Sequence, residues 1–438
     1  MLLNNAIGIL NTFNDVQSLC DNELATIKLM FVYFGINVDA KSLYNELSGY
    51  PDNYRVKRSK KKIGIVNNQL FDVETSDCLF IPEEFYIEDR EQNFKSVVKM
   101  NYNKTSPFTM IGLNGKAYII CNNLNMKLEC SFSEKLKFKN IIIDDFPLYK
   151  YIQIIGADRI AFLGFEGCNG FFNKTSCLFC DSAAKRCNEK SPVPSLNELN
   201  SKFSMDIDKW LSCVEKPYTD ALVESYKYIL KENINPHRHL HVMSGNLYNV
   251  KKELEYIFRV TKALNNVYQI SNLDAFLNLI PIDDENLSKE AKELGYKHLV
   301  YNIEVWGEKF YNAVCKGKSD LIKYNDFLKS FEDGVKHFGS GNVRCSFVLG
   351  AQEIAETKKG VLELAEIGVV TDFTIFTPKR GTPWENKKKP NIEEIAEFSI
   401  FVADIYKKYN FYPLYCSLSS RSGIMNEVLI NKKGVKII

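Results

Sequence analysis

Residues 160–180 read IAFLGFEGCNGFFNKTSCLFC, an apolar, strand-like run that ends near Phe165 and leads into Cys168, Cys177 and Cys180. Three thiols within thirteen residues of one loop form a soft donor set suited to an iron–sulfur cluster or to zinc. Structural zinc takes four protein donors, whereas a four-iron cluster held by three cysteines leaves one iron open to a small molecule. The shortage of one donor is therefore informative. Cys187, with six residues between it and Cys180, is within reach to complete a zinc site and reads otherwise as a free thiol.

Outward from this loop, from about residue 151, β-rich apolar runs alternate with helical patterns, which predicts a parallel sheet with crossover helices. The strands fall near 159–165, 238–243, 275–280, 298–305, 342–349 and 369–376, and the helices near 217–231, 248–264, 284–294, 321–337, 354–367 and 391–409. Six βα units suit a barrel, or an incompletely closed relative of one, better than an open two-sided sheet. Residues 181–216 form a long insertion after the cysteine loop, of a length that usually serves function or motion. Residues 1–150 differ: an amphipathic helix over 15–34, a short one over 40–47, then strand-like runs such as 116–121 and 139–144. They read as a smaller mixed α+β N-terminal domain for recognition or packing. Residues 151–385 form the core, and 386–438 a C-terminal helix and extension.

The length of 438 residues allows two or three domains with a large core. Most of the 12 cysteines sit singly in apolar runs, as buried free thiols of a reducing compartment do. Lys plus Arg (56) exceed Asp plus Glu (54) by only +2, so no overall field gathers nucleic acid or an anionic membrane. The stretch RVKRSKKK at 55–62 reads as an exposed basic loop, as do residues 387–389. There is no apolar run long enough to span a bilayer, and the opening MLLNNAIGIL lacks a basic segment with a cleavage site. A soluble, cytoplasmic protein is expected.

In a parallel αβ architecture, sites lie at the carboxyl ends of the strands, and the cysteine loop follows the first strand. The second strand ends in Met243, Ser244, Gly245 and Asn246, where a glycine lets backbone approach a ligand closely. Just upstream, His237, His239 and His241 alternate in HRHLH, which on a strand gives three imidazoles on one face. That pattern admits a mononuclear metal site, but the plainer reading puts His239 and His241 in the barrel interior and His237 at the strand edge. The fourth strand reads YNIEVW, with Asn302 and Glu304 two residues apart and hence on one face. Arg344 and Ser346 share a face of the fifth strand, where the arginine meets a ligand carboxylate or a neighbouring acid.

Together these features resemble the radical S-adenosylmethionine (radical SAM) superfamily over about residues 151–385. CLFC, with Phe179 before Cys180, is similar to the end of the family's cysteine motif. Ser244, Gly245 and Asn246 stand where members carry a glycine-rich turn that contacts the methionine amino group, and Glu304 resembles the acidic residue aimed at that ligand. CSFVLGAQE resembles the family pattern G-x-I-x-G-x-x-E, with Ser346 for the first Gly, Val348 for Ile, and Gly350 and Glu353 retained. Thr377, Pro378, Gly381, Thr382 and Pro383 resemble the turn after the sixth strand. The usual spacing between the cysteines is three residues and then two; here it is eight and then two. The extra residues NGFFNKTS are expected to bulge without moving the sulfurs, since loop closure costs only about 0.6 kcal/mol per doubling of length.

The resemblance implies a partial (β/α)6 TIM-like barrel with a 4Fe-4S cluster on Cys168, Cys177 and Cys180. S-adenosylmethionine then lies among Ser244, Gly245, Asn246, Asn302, Glu304, Arg344, Ser346 and Gly350. It also implies an external one-electron reductant of flavodoxin or ferredoxin type and a 5′-deoxyadenosyl radical that takes hydrogen from a small-molecule or peptide substrate. No second tight cysteine group follows residue 190, which argues against auxiliary clusters, and residues 1–150 carry no cobalamin signature. Two rival readings are a zinc-dependent hydrolase built on His237, His239 and His241, and a zinc-stabilised module whose basic loop contacts RNA.

Overall fold

The computed structural model describes residues 2–47, 84–89, 94–132, 141–155, 159–180, 191–231, 239–281, 284–379, 381–411 and 422–430. The described residues divide into two units, one lying within Leu136–Lys387 and the other drawn from the residues before 136 and after 387. The basic stretch at 55–62, Cys187 and His237 lie outside the described residues.

The first of these units is built on six parallel strands in chain order: β1 (Arg159–Leu163), β2 (His239–Met243), β3 (Phe276–Asn278), β4 (His298–Val300), β5 (Val343–Leu349) and β6 (Val369–Ile375). A seventh strand, Ile152–Ile155, pairs antiparallel with β1 at the edge. The order never reverses, so the switch point that defines a doubly wound sheet is not built. Ile160, Phe162, Leu240, Val242, Leu277, Leu299, Val343 and Phe347 are all buried, which explains why these strands read as apolar runs.

Between the strands lie α1 (Asn169–Phe172), α2 (Leu196–Phe203), α3 (Ile207–Lys231), α4 (Val250–Asn265), α5 (Glu285–Glu293), α6 (Glu308–Val314), α7 (Lys316–Ser319), α8 (Tyr324–Phe338) and α9 (Ile354–Glu366). α8 shows why they form: Tyr324, Phe327, Phe331, Gly334 and Phe338 recur at helical spacing and are buried, and Gly339 ends the helix at φ +85°. Two expectations are corrected here. The helix expected from Pro217 begins ten residues earlier, at Ile207, and carries that proline in its interior. The insertion after the cysteine loop is not structureless, since α2 and the start of α3 occupy part of it.

In the second unit the expected helix over 15–34 is two helices, Leu2–Cys20 and Glu23–Phe34. Asp21 turns the chain at φ +47°, and the Asn22 side chain accepts the Ala25 N–H as an N-cap. A four-stranded sheet runs Asn37–Val38, Thr109–Leu113, Lys116–Cys121, Met126–Cys130, beside a hairpin of Glu84–Asp89 and Phe94–Lys99. The helix expected near 391–409 is present as Ile392–Tyr409, with a capping box between Asn391 and Glu394. It packs against Leu2–Cys20 in this unit and is not a wall helix of the six-stranded sheet. Lys28 Nζ and Glu427 Oε1 form a fully buried ion pair at 2.8 Å, to which Ser96 Oγ donates at 2.6 Å. No described helix is long and apolar enough to cross a membrane.

Candidate functional site

At the carboxyl ends of β1–β4 lies a cavity of about 620 Å³. Its wall includes Cys168, Cys177 and Cys180, the turn Ser244, Gly245 and Asn246, and Asn302 with Glu304. Thus three segments separated by as much as 136 residues (168 to 304) converge on one space. All three thiols are partly accessible. Among the described residues no three His, Cys, Asp or Glu side chains crowd around a single metal-ion position. The sulfurs line the wall without converging on one point.

The cysteine loop is shaped by its neighbours. Gly164 N–H donates to Met243 O at 2.8 Å and Asn169 N–H to Asn246 O at 2.8 Å, so the ends of β1 and β2 leave the sheet side by side. Gly245 is what permits this. A Cβ there would fall 1.6 Å from the carbonyl oxygen of Gly167, and the close approach serves the neighbouring loop instead of a ligand. The Asn246 amide lies 3.7 Å from the Cys168 sulfur and donates to it. The eight residues of the long first gap do not simply bulge, because the first four of them form the helical turn α1. Thr175 N–H then returns to Gly170 O at 2.6 Å.

Beyond the loop, Phe179 packs against Trp384 at 6.3 Å, and Trp384 N–H donates to Leu178 O at 3.2 Å. The segment after β6 therefore reaches back to the cysteines. On the outer side, Glu166 exchanges backbone hydrogen bonds with Pro194 and Leu196, which brings Ser191, Val193, Ser195 and α2 into the cavity wall.

The strand expected over 298–305 ends at Val300. The chain leaves the ladder for three residues and rejoins it at Glu304, which bridges to Phe347 with φ +71°. During the detour Asn302 Oδ1 takes the place of a backbone acceptor for Ser346 N–H at 3.1 Å. Asn302 and Glu304 both face the cavity, through this detour and not through strand alternation. A non-glycine residue held in left-handed backbone at a cavity wall is the kind of strain that clusters at functional sites.

Sequence reasoning missed two residues here. Lys318, on α7, donates from Nζ to Glu304 Oε1 at 2.5 Å and to Asn302 O at 2.7 Å, and lines the cavity. Burial works against its charge, but the Glu304 carboxylate holds the ammonium above its ordinary range. Cys315, fully buried just before α7, lies beside Cys177, since the preceding Val314 O accepts Leu178 N–H at 3.0 Å. The neighbouring Cys315 pulls the Cys177 thiol below its usual range against the opposing effect of burial, and is itself raised in turn. Cys168 moves the other way, pushed up by burial. KGKS after an isolated cysteine carries no local pattern that would have revealed either residue.

Three expected ligand residues are not part of the wall. Arg344 is buried with its guanidinium 5.9 Å from the Phe276 ring, toward the amino ends of the strands. Ser346, one strand step beyond, is tied to Asn302. Gly350 follows β5 in a turn at φ +92°, a conformation only glycine adopts without strain.

His239 and His241 are also buried away from the cavity. The Asp274 carboxylate lies 3.2 Å from His239 Nδ1 and hydrogen-bonds His298 Nε2 at 3.1 Å, and His298 stacks on Phe276 at 4.3 Å. Burial holds His241 neutral, well below its ordinary pKa. These imidazoles pack the sheet interior, and the hydrolase reading is not favoured.

No family model matches this chain. Bacteriochlorophyllide c C-7(1)-hydroxylase from Chlorobaculum limnaeum is 30% identical over 141 residues, 32% of this chain and 35% of that protein. The chain thus matches about a third of the length of that relative. Among solved structures, coproporphyrinogen III oxidase from Escherichia coli, described as a radical SAM enzyme, aligns with TM-score 0.36 and 10% identity. That alignment covers 62% of this chain and 57% of the oxidase. A radical SAM methyltransferase from Sphaerobacter thermophilus aligns with TM-score 0.37 and 10% identity over 70% of this chain and 76% of its own.

Proposed function

We propose that this chain is a radical SAM enzyme that reductively cleaves S-adenosylmethionine and takes hydrogen from a small-molecule or peptide substrate. The observation that carries the reading is the single cavity at the strand ends, into which three thiols, a glycine turn and a Glu–Lys pair all face. A sheet without reversal puts right-handed crossover helices on one face, which supports a partial (β/α)6 barrel with a smaller α+β domain attached. The donor set fits the implied cluster: Cys168, Cys177 and Cys180 would hold it, leaving one iron without a protein ligand. Bound there, cluster and S-adenosylmethionine would supply a 5′-deoxyadenosyl radical.

The protein's own part is orientation. Glu304 and Lys318 offer adjacent opposite charges, which match the ammonium and carboxylate of an amino-acid group. Asn246 donates toward the Cys168 sulfur, and Asn278 with Asn302 gives neutral polar contacts on the opposite wall. Phe165, Phe171, Phe172 and Ile280 exclude water from the remaining wall. An electron donor of flavodoxin or ferredoxin type and a cytoplasmic location belong to the same proposal.

The test is anaerobic purification followed by iron and sulfide analysis. About four of each per chain is expected, with 5′-deoxyadenosine formed from S-adenosylmethionine and dithionite and abolished in Cys177→Ala. Stoichiometric zinc without sulfide, or undiminished 5′-deoxyadenosine in the variant, overturns the reading.

A further inference from the structure

We propose that Cys315 is a positioning residue for Cys177: its S–H donates to the Cys177 sulfur while the segment 314–318 clamps the cysteine loop against it. This rests on the reading of Cys177 as a cluster ligand. Cys315 lies 138 residues beyond Cys177 (315 − 177), yet the fold brings the two segments together. The backbone around them explains how. Leu178 N–H donates to Val314 O at 3.0 Å and Gly317 N–H to Thr175 O at 2.7 Å, so one segment grips the loop on both sides of Cys177.

The grip requires glycine at two facing positions. A Cβ on Gly317 would meet Thr175 O at 2.7 Å and the Gly170 Cα at 2.9 Å. The direction of the Cys315 side chain is set by its own backbone, whose N–H donates to Tyr311 O at 2.9 Å and whose carbonyl accepts Lys318 N–H at 2.8 Å. Cys315 is therefore held, buried, at the join of α6 and α7, between the two backbone contacts that grip the loop. An eight-residue gap gives Cys177 more freedom than a short one, and this clamp removes it. A hydrogen bond to a ligating sulfur draws charge from it and favours the reduced, more negative state of the group it holds.

The experiment compares the anaerobically reconstituted full chain with Cys315→Ala, Cys315→Ser and Gly317→Ala. The readouts are iron and sulfide content, the electron paramagnetic resonance spectrum of the reduced protein, and the midpoint potential from redox titration. Cys315→Ala is expected to keep its iron and sulfide and to titrate at a more negative potential than the unchanged chain. Cys315→Ser, which retains a donor, should return most of the shift, and Gly317→Ala, which keeps the thiol but forces the segments apart, should reproduce it. Equal potentials in all four proteins overturn the inference and leave the cluster reading intact. Loss of the cluster in Cys315→Ala with retention in Cys177→Ala makes Cys315 a ligand and overturns it too. A wild-type chain that takes up no iron and sulfide overturns both readings together.

Discussion

Glu253 offers a quantitative test of how the turn after β2 is held. It sits in the first turn of α4, fully buried, and its Oε2 accepts Leu247 N–H at 2.9 Å. Burial pushes its pKa up from 4.5 to about 8, with the Leu247 hydrogen bond opposing the rise. Below pH 4.5 both folded and unfolded chains carry the proton, and no penalty arises. Between 4.5 and about 8 the unfolded chain ionises while the folded one does not, so stability falls as pH rises, and above 8 the loss is complete. At 1.36 kcal/mol per unit, the full effect is about 5 kcal/mol.

Glu253→Gln keeps an acceptor for Leu247 and cannot ionise. The variant should therefore gain stability over wild type by about 1.4 kcal/mol per pH unit across this window. All 3 tryptophans, Trp210, Trp306 and Trp384, belong to the unit Leu136–Lys387, so their fluorescence in denaturant titrations of metal-free protein reports on that unit alone. A difference between variant and wild type that stays constant from pH 5 to 9 would refute the argument from burial.

Two further outcomes follow from the packing. Gly245→Ala places a methyl group where the Gly167 carbonyl oxygen now stands, so the turn and the cysteine loop must part. Overpacking of this kind costs about 1–3 kcal/mol, and iron and sulfide uptake should fall while hydrogen exchange in Ile392–Tyr409 stays unchanged; normal uptake would count against the role given to this contact. Glu427→Ala strips a buried partner from Lys28 and Ser96 at a cost of about 3–5 kcal/mol. Faster hydrogen exchange in Glu23–Phe34 should report it, whereas the paired change Lys28→Met with Glu427→Leu should recover much of the loss; equal exchange in wild type and Glu427→Ala would show the ion pair to be dispensable.

The parallel strands were legible in sequence because each is buried on both faces and so leaves a local apolar signature, as in His298–Val300 or Val343–Leu349. The cysteine loop was legible because its donors are close together in the chain, and Ser244, Gly245 and Asn246 because they follow directly on an apolar strand. Where the pattern extended past the real ladder, at 301–305, periodicity could not detect that an Asn302 side chain replaces the backbone acceptor. Arg344 and Ser346 were drawn toward the ligand by their shared strand face, yet the direction of a strand decides which layers reach the cavity, and theirs lie below it.

Composition and spacing alone determined that this chain builds an αβ sheet with three soft donors at the end of its first strand. Tertiary structure decided that Cys315 meets Cys177, that Lys318 lies against Glu304, and that residues 388–438 join the unit containing the chain's start. The reason is physical: burial of a strand or helix face repeats at short intervals along the sequence, whereas a contact between separate segments, 14 residues apart for Glu304 and Lys318 or 138 for Cys177 and Cys315, leaves no period to read.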